Sequence, residues 1–186
     1  MKIKYVLGIS CGYHDSAACL LKNGKVVSAC EEERFTGIKH DSSFPYNTIK
    51  WIFESNSITK DDISEICFYE NPTLKLDRIK ESTNKKPKRW YNFFSKKNNI
   101  VERNQEGYEI LLKDIETIKG KQTKVSFTDH HSSHLAYSYY TSPFESSAIL
   151  SVDGVGEWKT TAFGIGKGNK IKELQFKKDN PEIGKE

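Results

Sequence analysis

The chain has 186 residues, of which 36% are hydrophobic and 29% charged, with a formal net charge of +4. That length suits one ordinary domain or one lobe of a larger one, and the composition excludes a disordered or fibrous chain. The mild charge does not by itself call for nucleic acid or a lipid surface, and no apolar run reaches membrane-spanning length.

The opening "KYVLGIS", residues 4–10, predicts a β-strand. Its apolar run is too short for a signal peptide, and no small-residue cleavage site follows. The segment "CGYHD" then predicts a tight glycine turn. "SAACLLKNGKVVSACEEER" predicts two strands around Asn23-Gly24, the strongest short hairpin signal. In "FPYNTIKWIFESNSI", Ile49, Ile52 and Phe53 share one helical face behind Pro45. "SEICFYE" predicts a further strand, as do residues 123–128 and 146–152. A helix is expected from about His130 to Tyr140, and "KTTAFGIGKGNKIKELQF" predicts a closing hairpin on a Gly-Asn turn.

Residues 71–122 differ in character. Ten basic residues lie between Lys75 and Arg103, interleaved with Trp90, Tyr91, Phe93 and Phe94. A helical insertion with aromatic anchors and a solvated basic face fits this stretch, and so does a polyanion-binding patch. Cys11, Cys19, Cys30 and Cys67 form no C-x-x-C pair, and three of them fall in predicted strands. Free thiols in a reducing compartment are the expectation, which places the protein in the cytoplasm.

Three constellations bear on chemistry. In "GISCGYHDSA" a glycine turn between strands can offer successive backbone N–H groups to a phosphate, with Gly12 in the turn and His14 at its tip as donor or general acid–base. A plain hairpin turn whose histidine caps the backbone is the other reading. In "TDHHSSHLAYSYY" a helix starting near Asp129 places His130 and His134 at i and i+4, about 6 Å apart on one face. Two imidazoles so placed can hold one transition metal; an aspartate-capped helix start explains the same pattern. "AILSVDGVGEW" ends a strand in Asp153, followed by Gly154 and Gly156. Asp153 would add an oxygen ligand to the two imidazoles, a set suited to Fe(II), with Zn(II) or Mn(II) as alternatives, while a strand-terminal turn is the structural reading. The loop with Arg34, Lys39 and His40 adds cations that suit an anionic substrate, while on its own it reads as an ordinary charged loop.

The order βββαβ–insertion–βαβββ predicts an α/β fold with a mixed sheet flanked by helices, and it resembles a ribonuclease H-like lobe of the actin-like ATPase and sugar-kinase superfamily. Residues 8–45, 68–79 and 129–158, together with the hairpin that follows, resemble the O-carbamoyltransferase family of nodulation-factor and antibiotic biosynthesis. The resemblance runs in order from the N-terminus to about residue 175 and is weakest over 80–122.

The resemblance implies residues 1–186 as the first lobe of an actin-like domain similar to that of the tRNA threonylcarbamoyl transferase. The second lobe and a C-terminal carbamoyladenylate-forming domain would lie outside the chain, and the piece alone is expected to be inactive. It implies ATP and carbamoyl phosphate as the source of carbamoyladenylate, and a hydroxyl-bearing small molecule as acceptor. It also implies metal ligands at His130, His134 and Asp153, with a further aspartate from the absent lobe. His14 and Lys39 become the catalytic candidates, and Gly12, Gly154 and Gly156 line the nucleotide. The missing C-terminal domain would be a partner, a homodimer is allowed, and neither a membrane nor nucleic acid is expected. A non-catalytic actin-like module using the basic insertion to hold a partner or nucleic acid is the alternative.

Overall fold

A computed structural model describes residues 3–84, 97–154 and 157–174. Trp90, Tyr91, Phe93, Phe94 and Gly156 lie outside the described residues. The chain divides into two compact units, Met1–Thr128 and Asp129–Glu186.

The first unit is built on a five-stranded mixed sheet of order β3-β2-β1-β4-β5. Strands β1 (Tyr5–Ser10), β2 (Ala17–Lys22) and β3 (Lys25–Glu31) form an antiparallel meander. Asn23 and Gly24 both take positive φ, 51° and 81°, which is the backbone a two-residue hairpin with the native strand twist requires. A short helix α1 (Glu33–Thr36) follows, then α2 (Tyr46–Ser55), which carries the chain across to β4 (Ile63–Phe68). Strand β4 runs parallel to β1, with Gly8 opposite Cys67. Parallel neighbours need such a crossover, because no tight turn can join them.

Helices α3 (Pro72–Asn84) and α4 (Lys97–Ile118) make the second crossover, to β5 (Lys124–Phe127), which lies parallel to β4. The stretch predicted as a helical insertion is therefore also a structural connection. Leu111, Ile115 and Ile118 form one stripe of α4 at helical spacing and are buried with Leu7, Ile9, Leu20, Ile49, Ile52 and Ile66 in one core. Each such side chain contributes roughly 1.5–3 kcal/mol by leaving water.

The second unit contains α5 (His130–Tyr140) and a three-stranded antiparallel sheet of β6 (Ser146–Val152), β7 (Thr161–Lys167) and β8 (Lys170–Leu174). Leu135 and Tyr139, four residues apart on α5, bury against Ile149 and Ala162. Gly166 admits the Tyr139 ring: a Cβ added there would stand 2.4 Å from it. The Tyr139 hydroxyl donates to the carbonyls of Glu145, at 2.7 Å, and Gly168, at 3.1 Å, and so locks the ring in place.

The α/β architecture with a mixed sheet and flanking helices matches the sequence reading, and so does the strand order along the chain. The strands partition into two sheets, each carrying a strand–glycine loop–strand–hairpin–strand meander, although no internal repeat is legible in the residues themselves. Among the described residues no helix is long and apolar enough to cross a membrane.

Candidate metal centre and histidine turn

The residues singled out in the sequence fall into two groups, one in each unit. In the first unit, the turn 11–16 joins β1 to β2. Gly12 sits at φ 87°, which a side chain would strain. Its N–H donates to the Ser42 carbonyl at 2.9 Å, and the Ser16 N–H donates to the Asp41 carbonyl at 2.8 Å. Those two donors are thus committed to the loop after α1 and do not cradle an anion. The Asp41 carboxylate in turn accepts from the Ser43 hydroxyl and N–H and from Thr36, which holds its pKa below the ordinary carboxylate value.

This pairing of loops brings Asp15 to His40. Oδ1 of Asp15 lies 2.8 Å from Nδ1 of His40, and Oδ2 lies 2.7 Å from Nδ1 of His14. The hydrogen bond from His40, then that from His14, keeps the Asp15 carboxyl below its usual range, and Asp15 raises the pKa of His40. A carboxylate only accepts, so each imidazole carries its proton on Nδ1 when neutral, and Nε2 keeps its lone pair. His14 thereby has the orientation of a carboxylate-supported base. Lys39 is exposed one residue before His40 and forms no ion pair among the described residues. Arg34 is tied to Glu31 and Glu33.

In the second unit, α5 begins as expected from the aspartate. Asp129 is its N-cap and accepts the Ser132 N–H at 3.0 Å. Nε2 of His130 lies 2.6 Å from Oδ2 of Asp153, at the end of β6. Nε2 of His134 lies 3.1 Å from that of His130 and 3.5 Å from the same Asp153 oxygen. Metal–ligand bonds of about 2.0–2.1 Å place neighbouring donors about 3 Å apart, so the three atoms fit one ion. Two nitrogens and one carboxylate oxygen form a donor set suited to Fe(II), Zn(II) or Mn(II). The hydrogen bond from His130 depresses the Asp153 pKa, against the opposing effect of burial. Asp153 Oδ1 accepts the Gly154 N–H at 2.6 Å, which orients the carboxylate.

Three further residues support these groups. Glu157 is 3% exposed and places both carboxylate oxygens 3.0 Å from the His130 backbone N–H, at the positive end of the α5 dipole. His131 is 1% exposed: its Nε2–H donates to the Lys159 carbonyl at 2.7 Å, and its Nδ1 accepts from the Ser151 hydroxyl at 3.2 Å. It pins the β6–β7 loop to α5. Glu32, also 1% exposed, accepts from the backbone and side chains of Asn47 and Thr48 and caps α2. Glu32 left a trace in the residue order as the middle member of a Glu-Glu-Glu-Arg run, and His131 as the middle one of three close histidines.

Residues 5–184 match the family model described as carbamoyltransferase N-terminus. The chain is 37% identical over 172 residues to the uncharacterized protein sll1178 of Synechocystis, covering 90% of this chain and 28% of that protein. It is 28% identical over 174 residues to the nodulation protein NolNO of Sinorhizobium fredii, covering 92% of this chain and 24% of that protein. The chain thus spans about a quarter of the length of these curated relatives. Among solved structures, a Pseudomonas aeruginosa protein with similarity to the peptidase YeaZ aligns over 92% of this chain and 66% of its own, with 9% identity and a TM-score of 0.41.

Proposed function

The chain belongs to the carbamoyltransferase N-terminus family, and from that premise we propose that it forms part of an O-carbamoyltransferase. The observation that carries the metal-dependent form of this reading is the convergence of His130 Nε2, His134 Nε2 and Asp153 Oδ2.

The reaction takes the carbamoyl group of carbamoyladenylate, made from ATP and carbamoyl phosphate, to a hydroxyl acceptor. The acceptor oxygen bonds to the carbamoyl carbon, and the bond from that carbon to the adenylate phosphate oxygen breaks. Adenylate leaves with the electron pair, and the hydroxyl proton goes to a base. His14 is suited to take that proton on Nε2, because Asp15 holds the opposite ring nitrogen and stabilises the imidazolium that forms. His40 shares Asp15 and keeps the turn in register with the loop behind it. Lys39 supplies a cation for an anionic leaving group. His130, His134 and Asp153 would hold a divalent ion, whose chemistry is to polarise a carbonyl and offset phosphate charge. Asp153 and Glu157 keep that end of α5 oriented.

The reading is tested by metal content and ligand binding. Protein loaded anaerobically with Fe(II), or with Zn(II) or Mn(II), and then dialysed should retain one ion per chain. The double variant His130→Ala, His134→Ala should retain none. Isothermal titration with a sulfamoyl analogue of carbamoyladenylate should show binding that weakens in that variant. Equal metal content in the two proteins overturns the metal site; no analogue binding by the loaded protein overturns the carbamoyl reading.

A further inference from the structure

Two histidines of the first unit share one carboxylate. Oδ2 of Asp15 meets Nδ1 of His14 at 2.7 Å, and Oδ1 meets Nδ1 of His40 at 2.8 Å. The two ring nitrogens are therefore within about 8 Å of each other, close to one screening length at physiological salt. Asp15 and His40 also stand in the left-handed backbone region, with φ of 51° and 57°. Aspartate and histidine tolerate that region better than most side chains, yet holding it costs free energy. Both ends of this contact adopt it, so the two loops are shaped around the bridge.

The charges around the bridge are few. Glu33 accepts the His40 backbone N–H at 3.0 Å and is itself paired with Arg34. Lys39 is exposed beside His40. Asp41 is turned toward Thr36 and Ser43. At His14 the Tyr13 ring lies 4.6 Å away, and the ion pair that His14 forms among the described residues is with Asp15.

This arrangement gives His40 an effect on the chemistry of His14. When an acceptor hydroxyl passes its proton to Nε2 of His14, positive charge forms on that ring. With His40 neutral, the Asp15 charge faces the new cation alone and stabilises it. With His40 protonated, its charge offsets that of Asp15, and the new cation meets a like charge across the carboxylate. We propose that His40 is a positioning residue that gates His14 through Asp15: a neutral His40 leaves His14 able to act as a base, and a charged one suppresses it. This proposal rests on the transfer reading above and adds a pH control to it. The hydrogen bond to Asp15, with a smaller contribution from Glu33, raises the pKa of His40 above 6.5, so the gate opens as pH rises through that higher value. The side chains of His14, Asp15 and His40 are 57%, 40% and 62% exposed, so water weakens the coupling.

The test follows the imidazole Cε1–H signals of the full chain by NMR titration. His14→Gln keeps a neutral donor beside Asp15 and removes the charge of that ring; His40→Gln does the same on the other side. His14→Gln should raise the His40 midpoint, His40→Gln should raise the His14 midpoint, and the two rises together should come to about 0.3–0.5 pH unit at low salt. Both rises should fade at 1 M salt, where the screening length is about 3 Å. A purely structural role for His40 moves neither midpoint. Asp15→Asn should lower both midpoints. No combined rise, a rise undiminished at 1 M salt, or a His14 midpoint unmoved by Asp15→Asn would each overturn the proposal. The sulfamoyl analogue of carbamoyladenylate separates the gate from the reading beneath it. Coupled histidines in a chain that binds no analogue uphold the effect of His40 on His14 and remove the transfer reading, whereas analogue binding without coupling removes the gate alone.

Discussion

The carboxylate of Glu157 lies with both oxygens 3.0 Å from the backbone nitrogen of His130. A side chain 27 positions later along the chain thus fixes the first residue of the helix that carries the two imidazoles. Glu157→Ala should remove a buried helix cap and cost about 1–2 kcal/mol of stability. Supports of metal-binding histidines typically change metal affinity 10- to 100-fold, and a loss in that range is expected here. Thermal melts and Zn(II) competition titrations measure the two effects. Unchanged metal affinity in the folded variant would show that Glu157 serves α5 alone.

Asp15, held between His14 and His40, gives a pH signature. The folded-state pKa of His40 lies above its ordinary 6.5, chiefly through the hydrogen bond to Asp15 and with a smaller contribution from Glu33. A raised histidine contributes stability that is complete below about pH 6.5 and disappears as pH rises through the folded-state value. Asp15 is shifted down, so its contribution is present above about pH 3.9 and disappears as pH falls through its lowered value. The link between the two loops is therefore strongest between those limits. An NMR titration of His40 should give a midpoint above 6.5, and Asp15→Asn should bring it down.

The buried Glu32 carboxylate receives four hydrogen bonds, from Asn47 and Thr48. Thr48 is fully buried, so its N–H and hydroxyl have no water to turn to. Glu32→Ala should destabilise the chain by at least about 2 kcal/mol, since buried donors left without an acceptor each cost about 1–3 kcal/mol. Urea denaturation measures this, and Glu32→Gln, which keeps two acceptor lone pairs, should lose less.

Gly166→Ala should cost about 1–3 kcal/mol by overpacking against the Tyr139 ring. That ring cannot swing aside without giving up its hydroxyl bonds to Glu145 and Gly168. A fall in the thermal midpoint without loss of metal binding is the expected pattern. An unchanged midpoint would mean that the ring moves freely.

Much of the fold was legible because it depends on near neighbours. Short apolar runs marked β1, β2 and β6, Asn23-Gly24 marked the hairpin, and an aspartate before two histidines at i and i+4 marked the start of α5. The convergence of His130, His134 and Asp153 was legible for the same reason: two members share a helix face, and the third ends a strand before glycines. The supports were not legible. His131 was visible as a member of the histidine run, but its bonds to Ser151 and Lys159 were not. Asp15 looked like a turn residue, and its bridge to His40 depends on how two loops meet.

The sequence by itself determined the elements, their order and the residue types that can do chemistry, since helical and strand periodicity and turn conformation are set within a few residues. Only the tertiary structure decided that the strands divide into two sheets and that the basic stretch includes a core-forming crossover. It also decided that Glu32 and Glu157 cap helices distant in sequence. Each of these depends on strand pairing or on the desolvation of a buried charge by residues far along the chain, and local patterning carries no record of such partners.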